Sequence, residues 1–300
     1  MKILLATDGS ESARATVDCL LSFPFPDNSE VTVLTVIDRN VFKHEDLNSR
    51  NSEQQDALKE TEKILQEAAE ELLAQEAARL REAGWSESSE LRVGYPAEEI
   101  VRVAERLGSD CIVVGSHGMS GIKRFLLGSV SDHVLQYAHC SVLIVKKHDV
   151  HCAGTGEPLR MLLTYDDSEP ARRAVDFCAS LPLGDQTEVT ALTVLPLVTM
   201  YRQDIRQRLS WLWQEKKKQA LAALEGVAKK IAHTTAHVET QLREAPDVSD
   251  EILHAATELN SDLIVLGHKG KGAIKTFLLG STTSRIAHHA NCSVLAIRNY

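Results

Sequence analysis

The chain has 300 residues, of which 43% are hydrophobic and 25% are charged, a balance typical of globular proteins. Its formal net charge of -9 argues against a nucleic-acid binder, because an acidic protein repels phosphate backbones. The sequence holds no run approaching the roughly 18 apolar residues of a membrane span, and the opening MKILLATDGS has too short an apolar stretch for a signal peptide, so we expect a cytoplasmic protein without a membrane span.

Residues 1–147 alternate between short apolar runs, which predict strands, and longer segments with apolar residues at helical spacing. In chain order the predicted elements are strand 3–7, helix 11–21 with Ser10 as its N-cap, strand 31–37, helix 52–83, a weak strand 91–93, helix 97–107, strand 111–114, helix 129–137 and strand 142–145. Such an alternation indicates a parallel sheet covered by helices on both faces. We therefore predict an α/β fold with a doubly wound, five-stranded parallel sheet, whose ligands bind beyond the carboxyl ends of the strands.

The chain repeats itself. KILLATDGSESARATVD at 2–18 matches RMLLTYDDSEPARRAVD at 160–176, and SDCIVVGSHGMSGIKRFLLGS at 109–129 matches SDLIVLGHKGKGAIKTFLLGS at 261–281. Two copies of about 150 residues indicate a duplicated domain, since the units of a solenoid are far shorter. We predict a first domain over 1–147, a polar, glycine-containing linker over 148–158 and a second domain over 159–300.

The six cysteines show no CxxC spacing, and three of them lie in or beside predicted core strands. This pattern favours reduced, buried thiols over a disulfide framework. His148, His151 and Cys152 cluster near the middle of the chain, but they lack a fourth ligand at finger-like spacing, so a zinc site is the less favoured interpretation.

A glycine-rich loop precedes the last predicted helix of each copy. The first turn of a helix leaves backbone N–H groups without partners and carries a partial positive charge, so it attracts phosphate. Glycines let the backbone approach an anion closely. A turn that only reverses the chain remains the alternative. Neither the P-loop pattern GxxxxGK[ST] nor the dinucleotide pattern GxGxxG is present.

Each copy resembles a domain of the universal stress protein family, in its nucleotide-binding branch. The motif of that branch, G-x2-G-x9-G-[ST], fits GSHGMSGIKRFLLGS at 115–129 and GHKGKGAIKTFLLGS at 267–281. The opening strand that leads to an aspartate and the strand ending LTVID also resemble the family, and the similarity covers nearly all of both copies. It implies a tandem universal stress protein with two Rossmann-like, adenine nucleotide alpha hydrolase-like sheets.

The resemblance also implies roles for individual residues. Asp8 and Asp166 would lie near adenosine, and Val36 and Val194 would contact adenine. The remaining implied positions, which would surround ribose and phosphates, are Gly115, His117, Gly118, Gly128, Ser129, Val130 and Ser131 in the first copy and Gly267, Lys269, Gly270, Gly280, Ser281, Thr282 and Thr283 in the second. The implied ligand is ATP, or ADP or AMP, with magnesium or manganese; the sequence leaves the metal ligands unknown.

The second copy departs from the first beside the expected pocket. Asp167 stands where the first copy has Gly9, and Tyr165 stands where it has Thr7. A second carboxylate would repel a triphosphate, whereas the lysines of the second loop (Lys269, Lys271 and Lys275) add positive charge. The sequence leaves open which effect prevails, and therefore whether both copies bind nucleotide.

Catalysis of phosphoryl transfer needs a positioned nucleophile, charge neutralisation and usually a base. His117 could be a base, but the second copy has Lys269 at that position, so no catalytic residue is assigned. We expect an ATP-binding regulator or sensor in stress physiology with slow or no hydrolysis. A nucleotide-independent interaction or lipid-binding stress protein is the alternative.

The resemblance further implies pairing through the last strand of each copy, 142–145 and 294–297. An exposed apolar edge strand invites pairing, and a short linker raises the effective concentration of the two halves. We predict an intramolecular pseudo-dimer. A further homodimer and an unidentified protein partner stay open.

Overall fold

The computed structural model describes residues 1–42, 52–118, 127–146, 157–197, 203–270 and 279–298. The chain forms two compact units, the first of residues 1–23 and 27–147 and the second of residues 24–26 and 148–300. Most of the predicted linker lies outside the described residues, as do His148, His151 and Cys152 of the zinc interpretation.

The first unit is a parallel five-stranded sheet with helices in the crossovers. Its elements are β1 (Lys2–Ala6), α1 (Glu11–Ser22), β2 (Glu30–Asp38), a 3-10 turn (Arg39–Phe42), α2 (Ser52–Glu82), β3 (Ser86–Gly94), α3 (Pro96–Leu107), β4 (Cys111–Gly115), α4 (Ser129–Tyr137) and β5 (Ser141–Val145). The strand order is β3-β2-β1-β4-β5, with every pair parallel. The winding direction therefore reverses between β1 and β4.

The second unit repeats this topology. Its elements are β6 (Leu159–Thr164), α5 (Glu169–Ser180), β7 (Thr187–Pro196), α6 (Gln203–Ile231), β8 (His237–Ala245), α7 (Val248–Glu258), β9 (Leu263–Gly267), α8 (Ser281–His289) and β10 (Ser293–Ile297). The order β8-β7-β6-β9-β10 matches the first unit strand for strand, and every pair is again parallel. The predicted α/β class with two doubly wound, five-stranded sheets is confirmed.

The cores are built from the continuous apolar strands. All five residues of β4 and all five of β9 are buried, as expected for central strands covered on both faces. The described cysteines are free thiols, and all of them except Cys19 are buried. Burial raises the pKa of the Cys178 thiol to about 12 and also raises that of Cys111 well above its usual value, so both thiols stay protonated at neutral pH.

The strand β3 is longer than the sequence indicated. Nine residues, Ser86–Gly94, pair with the whole length of β2, whereas the apolar pattern predicted only 91–93. This edge strand begins with the polar sequence SESSE, whose side chains are largely accessible to solvent. Its start therefore carries no hydrophobic pattern from which a strand could be predicted. The cap prediction is confirmed, because the Ala13 N–H donates to the Ser10 hydroxyl oxygen at 3.1 Å.

Among the described residues, no helix combines the length and the apolar character that crossing a bilayer requires.

Candidate functional site

The candidate site of the first unit lies where the winding reverses. Ala6, the last residue of β1, pairs with Val114 in β4, so the loops that follow the two strands leave the same edge of the sheet side by side. One of these loops carries Asp8 and the other carries Gly118. A ligand crevice is expected at this point of a doubly wound sheet.

Backbone and side-chain hydrogen bonds hold the loop after β1. The Thr7 N–H donates to the Leu34 carbonyl at 2.9 Å, and the Thr35 hydroxyl donates to the Thr7 carbonyl at 3.1 Å. The Ser10 N–H donates to Asp8 Oδ1 at 3.0 Å. The Asp8 carboxylate is thereby fixed through one oxygen, at the carboxyl end of the sheet.

The middle glycine of each loop faces the aspartate of the neighbouring loop. A Cβ atom at Gly118 would lie 2.8 Å from Asp8 Oδ2, and one at Gly270 would lie 3.0 Å from Asp166 Oδ2. Both glycines are exposed. The structure thus brings together two pairs of predicted site residues, and a side chain at either glycine would crowd the carboxylate that faces it.

The first glycine of each motif has a different reason to be glycine. Gly115 and Gly267 are buried. A Cβ atom at Gly115 would lie 2.8 Å from Ser12 Oγ and 3.0 Å from the Ser12 carbonyl carbon, and one at Gly267 would lie 2.6 Å from the Pro170 carbonyl carbon. These glycines let the first turn of α1 or α5 pack directly on the strand, a requirement that is independent of any ligand.

The last glycine of each motif closes the loop. The Gly128 N–H donates to the Ser116 carbonyl at 2.8 Å, and the Gly280 N–H donates to the His268 carbonyl at 2.9 Å. A Cβ atom at either glycine would approach the same carbonyl oxygen to 3.2 Å. The two ends of the loop therefore meet. The segments between them, with Lys271 and Lys275 in the second loop, lie outside the described residues.

The hydroxyls after the loop divide into two kinds. Ser131 is buried and donates to the Gly115 carbonyl at 2.6 Å, and Thr283 donates to the Gly267 carbonyl at 3.0 Å, so these two tie the helix to the strand. Ser129 and Ser281 are exposed at the first helical position, while Val130 and Thr282 beside them are half-buried.

Helices α4 and α8 begin without a side-chain cap. Their N-cap residues are Gly128 and Gly280, which have no side-chain oxygen to accept hydrogen bonds from the first-turn N–H groups. An uncapped helix start is an anion-binding environment, because its N–H groups lack intrahelical acceptors and the helix dipole is positive there.

His117 places a polar atom inside the first site. Its backbone N–H approaches Ser12 Oγ at 3.4 Å, and its Nδ1 lies 3.0 Å from Ser116 Oγ. The Nε2 atom is buried and has no hydrogen-bond partner within the part of the chain that the structure describes. Such an atom is costly unless something else satisfies it.

The second site differs in its charges. Lys269 is half-buried at the position of His117, and His268 stands where the first unit has Ser116. Burial, and after it the charge of Arg298, lowers the pKa of His268 to about 4, so this imidazole is neutral at pH 7. Its Nδ1 lies 3.2 Å from the Ile297 carbonyl.

The extra carboxylate of the second site is paired. Asp167 has φ +61, in the left-handed region that Gly9 occupies in the first unit. Its Oδ1 accepts from the Tyr165 hydroxyl at 2.9 Å and from Arg172 Nη2 at 2.9 Å. Sequence reasoning missed Arg172, although the recurrence of arginine at the equivalent position of α1, Arg14, was a visible signal.

The two valines flank these loops. Val36 on β2 is half-buried and pairs with Arg92 of β3, and Val194 on β7 is buried and pairs with Arg243 of β8. Each follows a threonine whose hydroxyl bonds the loop after the first strand, Thr35 to Thr7 and Thr193 to Tyr165. They therefore border the crevice from the neighbouring strand.

No group of three or more His, Cys, Asp or Glu side chains suited to a metal ion occurs among the described residues.

Comparison with known proteins gives a consistent result. The family model described as the universal stress protein family matches residues 1–146 and again residues 159–298. Universal stress protein MJ0577 of Methanocaldococcus jannaschii is 34% identical over 153 residues, which cover 49% of this chain and 94% of that protein. Universal stress protein YxiE of Bacillus subtilis is 31% identical over 157 residues, covering 48% of this chain and 98% of the relative.

A solved structure matches the whole chain. The crystal structure of a universal stress protein from Archaeoglobus fulgidus DSM 4304 superposes with a TM-score of 0.64 at 26% sequence identity. The match covers 99% of this chain and 98% of that one.

The packing role of the first glycines can be tested by alanine substitution. Gly267→Ala should destabilise the protein by about 1–3 kcal/mol, because the new Cβ would overlap the Pro170 backbone. Gly226 inside α6 is the matched control: a Cβ there meets nothing within 4 Å, so Gly226→Ala should stabilise by about 0.5–1 kcal/mol. Urea denaturation followed by circular dichroism measures both, and equal stability of the two variants would contradict the packing role.

Proposed function

The chain belongs to the universal stress protein family, and we propose that it is an ATP-binding regulator or sensor of the stress response with slow or no hydrolysis. The observation that carries this proposal is the pairing of an exposed glycine with a fixed aspartate in both units, Gly118 with Asp8 and Gly270 with Asp166. Each pair lies at the crevice where a doubly wound sheet takes its ligand.

Three features of the first site fit an adenine nucleotide. The space before Asp8 is one that a Cβ atom would fill, and the buried Nε2 of His117 has no hydrogen-bond partner among the described residues. Helix α4 also begins without a side-chain cap. A carboxylate accepts hydrogen bonds from ribose hydroxyls or an amino group, whereas an uncapped helix start favours phosphate, so the two ends of the crevice suit the two ends of one ligand.

The remaining predicted residues take consistent places in this proposal. Val36 and Val194 would border the base, and Ser129 and Ser281 would donate to phosphate oxygens from the first helical position. Magnesium or manganese would be held chiefly by the phosphates and water, since Mg²⁺ commonly needs only one or two carboxylates beyond them. ADP and AMP would occupy the same site. The buried free thiols support a cytoplasmic location as part of the proposal.

The same geometry supports slow turnover. Among the described residues of the two sites, the acidic groups that recur are Asp8 and Asp166, and each accepts a hydrogen bond from the backbone N–H two residues further on, at 3.0 Å and 2.9 Å. His117 has Lys269 as its counterpart, so the two described sites share no general base there. A nucleotide that stays bound without being hydrolysed suits a regulator, because partner proteins can then respond to whether the nucleotide site is occupied.

Nucleotide occupancy tests the glycine–aspartate pairs. Gly118→Val and Gly270→Val should each remove about one bound nucleotide per chain, because the new side chain would overlap the aspartate oxygen. Protein purified without added ligand is acid-extracted, and adenine nucleotide is quantified by mass spectrometry, with Gly226→Ala as the control and circular dichroism to verify folding. Full occupancy in a folded double variant would refute the site, and a wild type that neither carries nor binds ATP would favour the nucleotide-independent alternative.

Single-turnover hydrolysis tests the proposed role. With magnesium or manganese, bound ATP should decay far below about 1 s⁻¹, the low end of ordinary enzyme turnover. With the site kept filled by excess ATP, His117→Ala should leave that slow rate unchanged, because the proposal assigns His117 to nucleotide binding and not to the role of a base. A rate near 1 s⁻¹ that Gly118→Val abolishes would make the protein an ATPase instead.

Arg172 should keep the second site competent for a triphosphate, because it neutralises Asp167. With the first site blocked by Gly118→Val, Arg172→Gln should weaken ATP binding roughly two- to fivefold, as expected for an exposed ion pair. AMP should be affected less, since it carries less charge.

The control adds Asp167→Gly to Arg172→Gln, which removes the carboxylate at a position whose φ suits glycine. Isothermal calorimetry should then show ATP affinity restored. An unchanged affinity in Arg172→Gln, or equal losses for ATP and AMP, would show that the pair has no electrostatic role.

A further inference from the structure

A cavity of about 470 Å³ opens at the amino-terminal edge of the second sheet. Its walls come from the last turns of α7 and α8 and from the connections that lead into β9 and β10. The glycine–aspartate pair lies at the opposite, carboxyl edge of this sheet, so the cavity is separate from the proposed nucleotide site. Its volume falls within the roughly 300–1,000 Å³ of small-molecule pockets.

One wall of the cavity is apolar, and its mouth is polar. Ala256, Ala290 and Cys292 form the apolar wall and are buried, and a reduced cysteine packs as a small hydrophobic group. Asn260 and Asn291 line the mouth and are exposed. A ligand that suits this shape has a short apolar stretch and a polar group that reaches toward solvent.

The inner end of the cavity favours a positive charge. Helix α7 ends at Glu258 and α8 ends at His289, and both Thr257 in the last turn of α7 and His289 line the cavity. The last carbonyl groups of a helix carry partial negative charge and are stabilised by cations. Asp262, which is only 6% exposed, adds its carboxylate to the same region.

The first unit shows which cation lies at such a helix end. Lys2 and Arg160 are equivalent, because their backbone N–H groups donate to Oδ2 of the equivalent aspartates, Asp110 at 2.7 Å and Asp262 at 2.8 Å. The Lys2 ammonium also approaches the carbonyl oxygen of Leu107, the last residue of α3, at 3.5 Å. A primary ammonium of the chain itself therefore lies at the helix end that corresponds to the end of α7.

In the second unit, the corresponding cation lies beside a carboxylate of the neighbouring strand. Arg160 is opposite Glu188 of β7 in the sheet register, and its Nε lies 3.9 Å from Glu188 Oε2. Asn260 stands where the first unit has Gly108, and both residues have positive φ, 47 and 60. The change places an amide at the mouth of the cavity, and an amide oxygen can accept a hydrogen bond from an ammonium group.

We propose that this cavity binds a small aliphatic diamine. One ammonium group would lie at the end of α7 beside Asp262, as Lys2 lies at the end of α3, and the methylene groups would pack along the apolar wall. The second ammonium group would donate to the amide oxygens of Asn260 and Asn291 at the mouth. The net charge of -9 adds to the attraction of a dication. Neither contact involves the proposed nucleotide site.

Isothermal calorimetry of the full chain tests the proposal, with putrescine as the diamine. Putrescine should bind saturably to a single site per chain, whereas butanediol, which has the same length without charge, should not bind. Succinate should not bind either, because its carboxylates would meet Asp262 and the two helix ends. Absence of putrescine binding, binding that does not saturate, or binding of succinate through Arg160 would each overturn the proposal.

Two substitutions should block the cavity by placing an ammonium group of the chain at the end of α7. Thr257→Lys adds a lysine to its last turn, and Arg160→Lys restores the residue type of the first unit. Each should weaken putrescine binding at least about fivefold, because two ammonium groups a few ångströms apart repel each other even in water.

Thr240→Lys is the matched control, since it adds the same charge at an exposed position of β8 outside the cavity. It should leave putrescine binding unchanged, and circular dichroism verifies folding of all three variants. Equal losses in the three variants would show a general effect of charge and overturn the proposal. Undiminished binding in both Thr257→Lys and Arg160→Lys would overturn it as well.

A bound nucleotide would itself attract a diamine to its phosphates, so a protein without nucleotide is the last control. The double variant Gly118→Val, Gly270→Val should bind putrescine as tightly as wild type, because the cavity lies at the other edge of the sheet. Loss of putrescine binding in the folded double variant would assign the diamine to the nucleotide and overturn the proposal.

Discussion

The approach of a bare backbone to a carboxylate is the constraint on which both sites depend. Asp8 Oδ2 and Asp166 Oδ2 each face a glycine at which any side chain would overlap them. The aspartate comes from the loop after the first strand and the glycine from the loop after the fourth, so only the parallel order of the sheet brings them together. The buried glycines Gly115 and Gly267 serve this arrangement indirectly, because they let α1 and α5, which follow the aspartate loops, pack close to β4 and β9.

Duplication separated what this arrangement requires from what it tolerates. The glycines, the aspartates and the hydroxyl that ties the last helix to the fourth strand recur in both units, with serine at 131 and threonine at 283. The residues around them changed. Asp167 entered a left-handed position without becoming an unpaired charge, because Tyr165 and Arg172 both donate to it. The second unit therefore changed the residues around the glycine–aspartate pair and kept the pair itself.

The fold could be predicted from the sequence because the buried strands are continuous apolar runs. Continuous apolar strands and a repeat of about 150 residues were sufficient for the class and the duplication. The glycine motif carried the resemblance to the family, which the matches over 1–146 and 159–298 confirm. Edge strands were predicted less well, since β3 opens with polar residues that solvent accepts. The different roles of the glycines could not be predicted, because Gly115 and Gly118 belong to the same motif. Only their contacts distinguish them: Gly115 packs against Ser12 of α1, whereas Gly118 faces the Asp8 carboxylate.

Contacts between distant residues decide the remaining features. Trp213 and Glu244 are 31 positions apart, and the hydrogen bond between them joins the inner side of α6 to β8. Helical spacing places Trp213 on the face of the buried Leu224 and Ile231 and leaves Trp211 toward solvent, but it does not identify Glu244 as the partner. The two long helices differ in their charges, with nine acidic and four basic residues in α2 against three acidic and seven basic residues in α6. A duplicated protein can change its surface there without disturbing the crevice, since the buried sides of α2 and α6 keep the same apolar anchors.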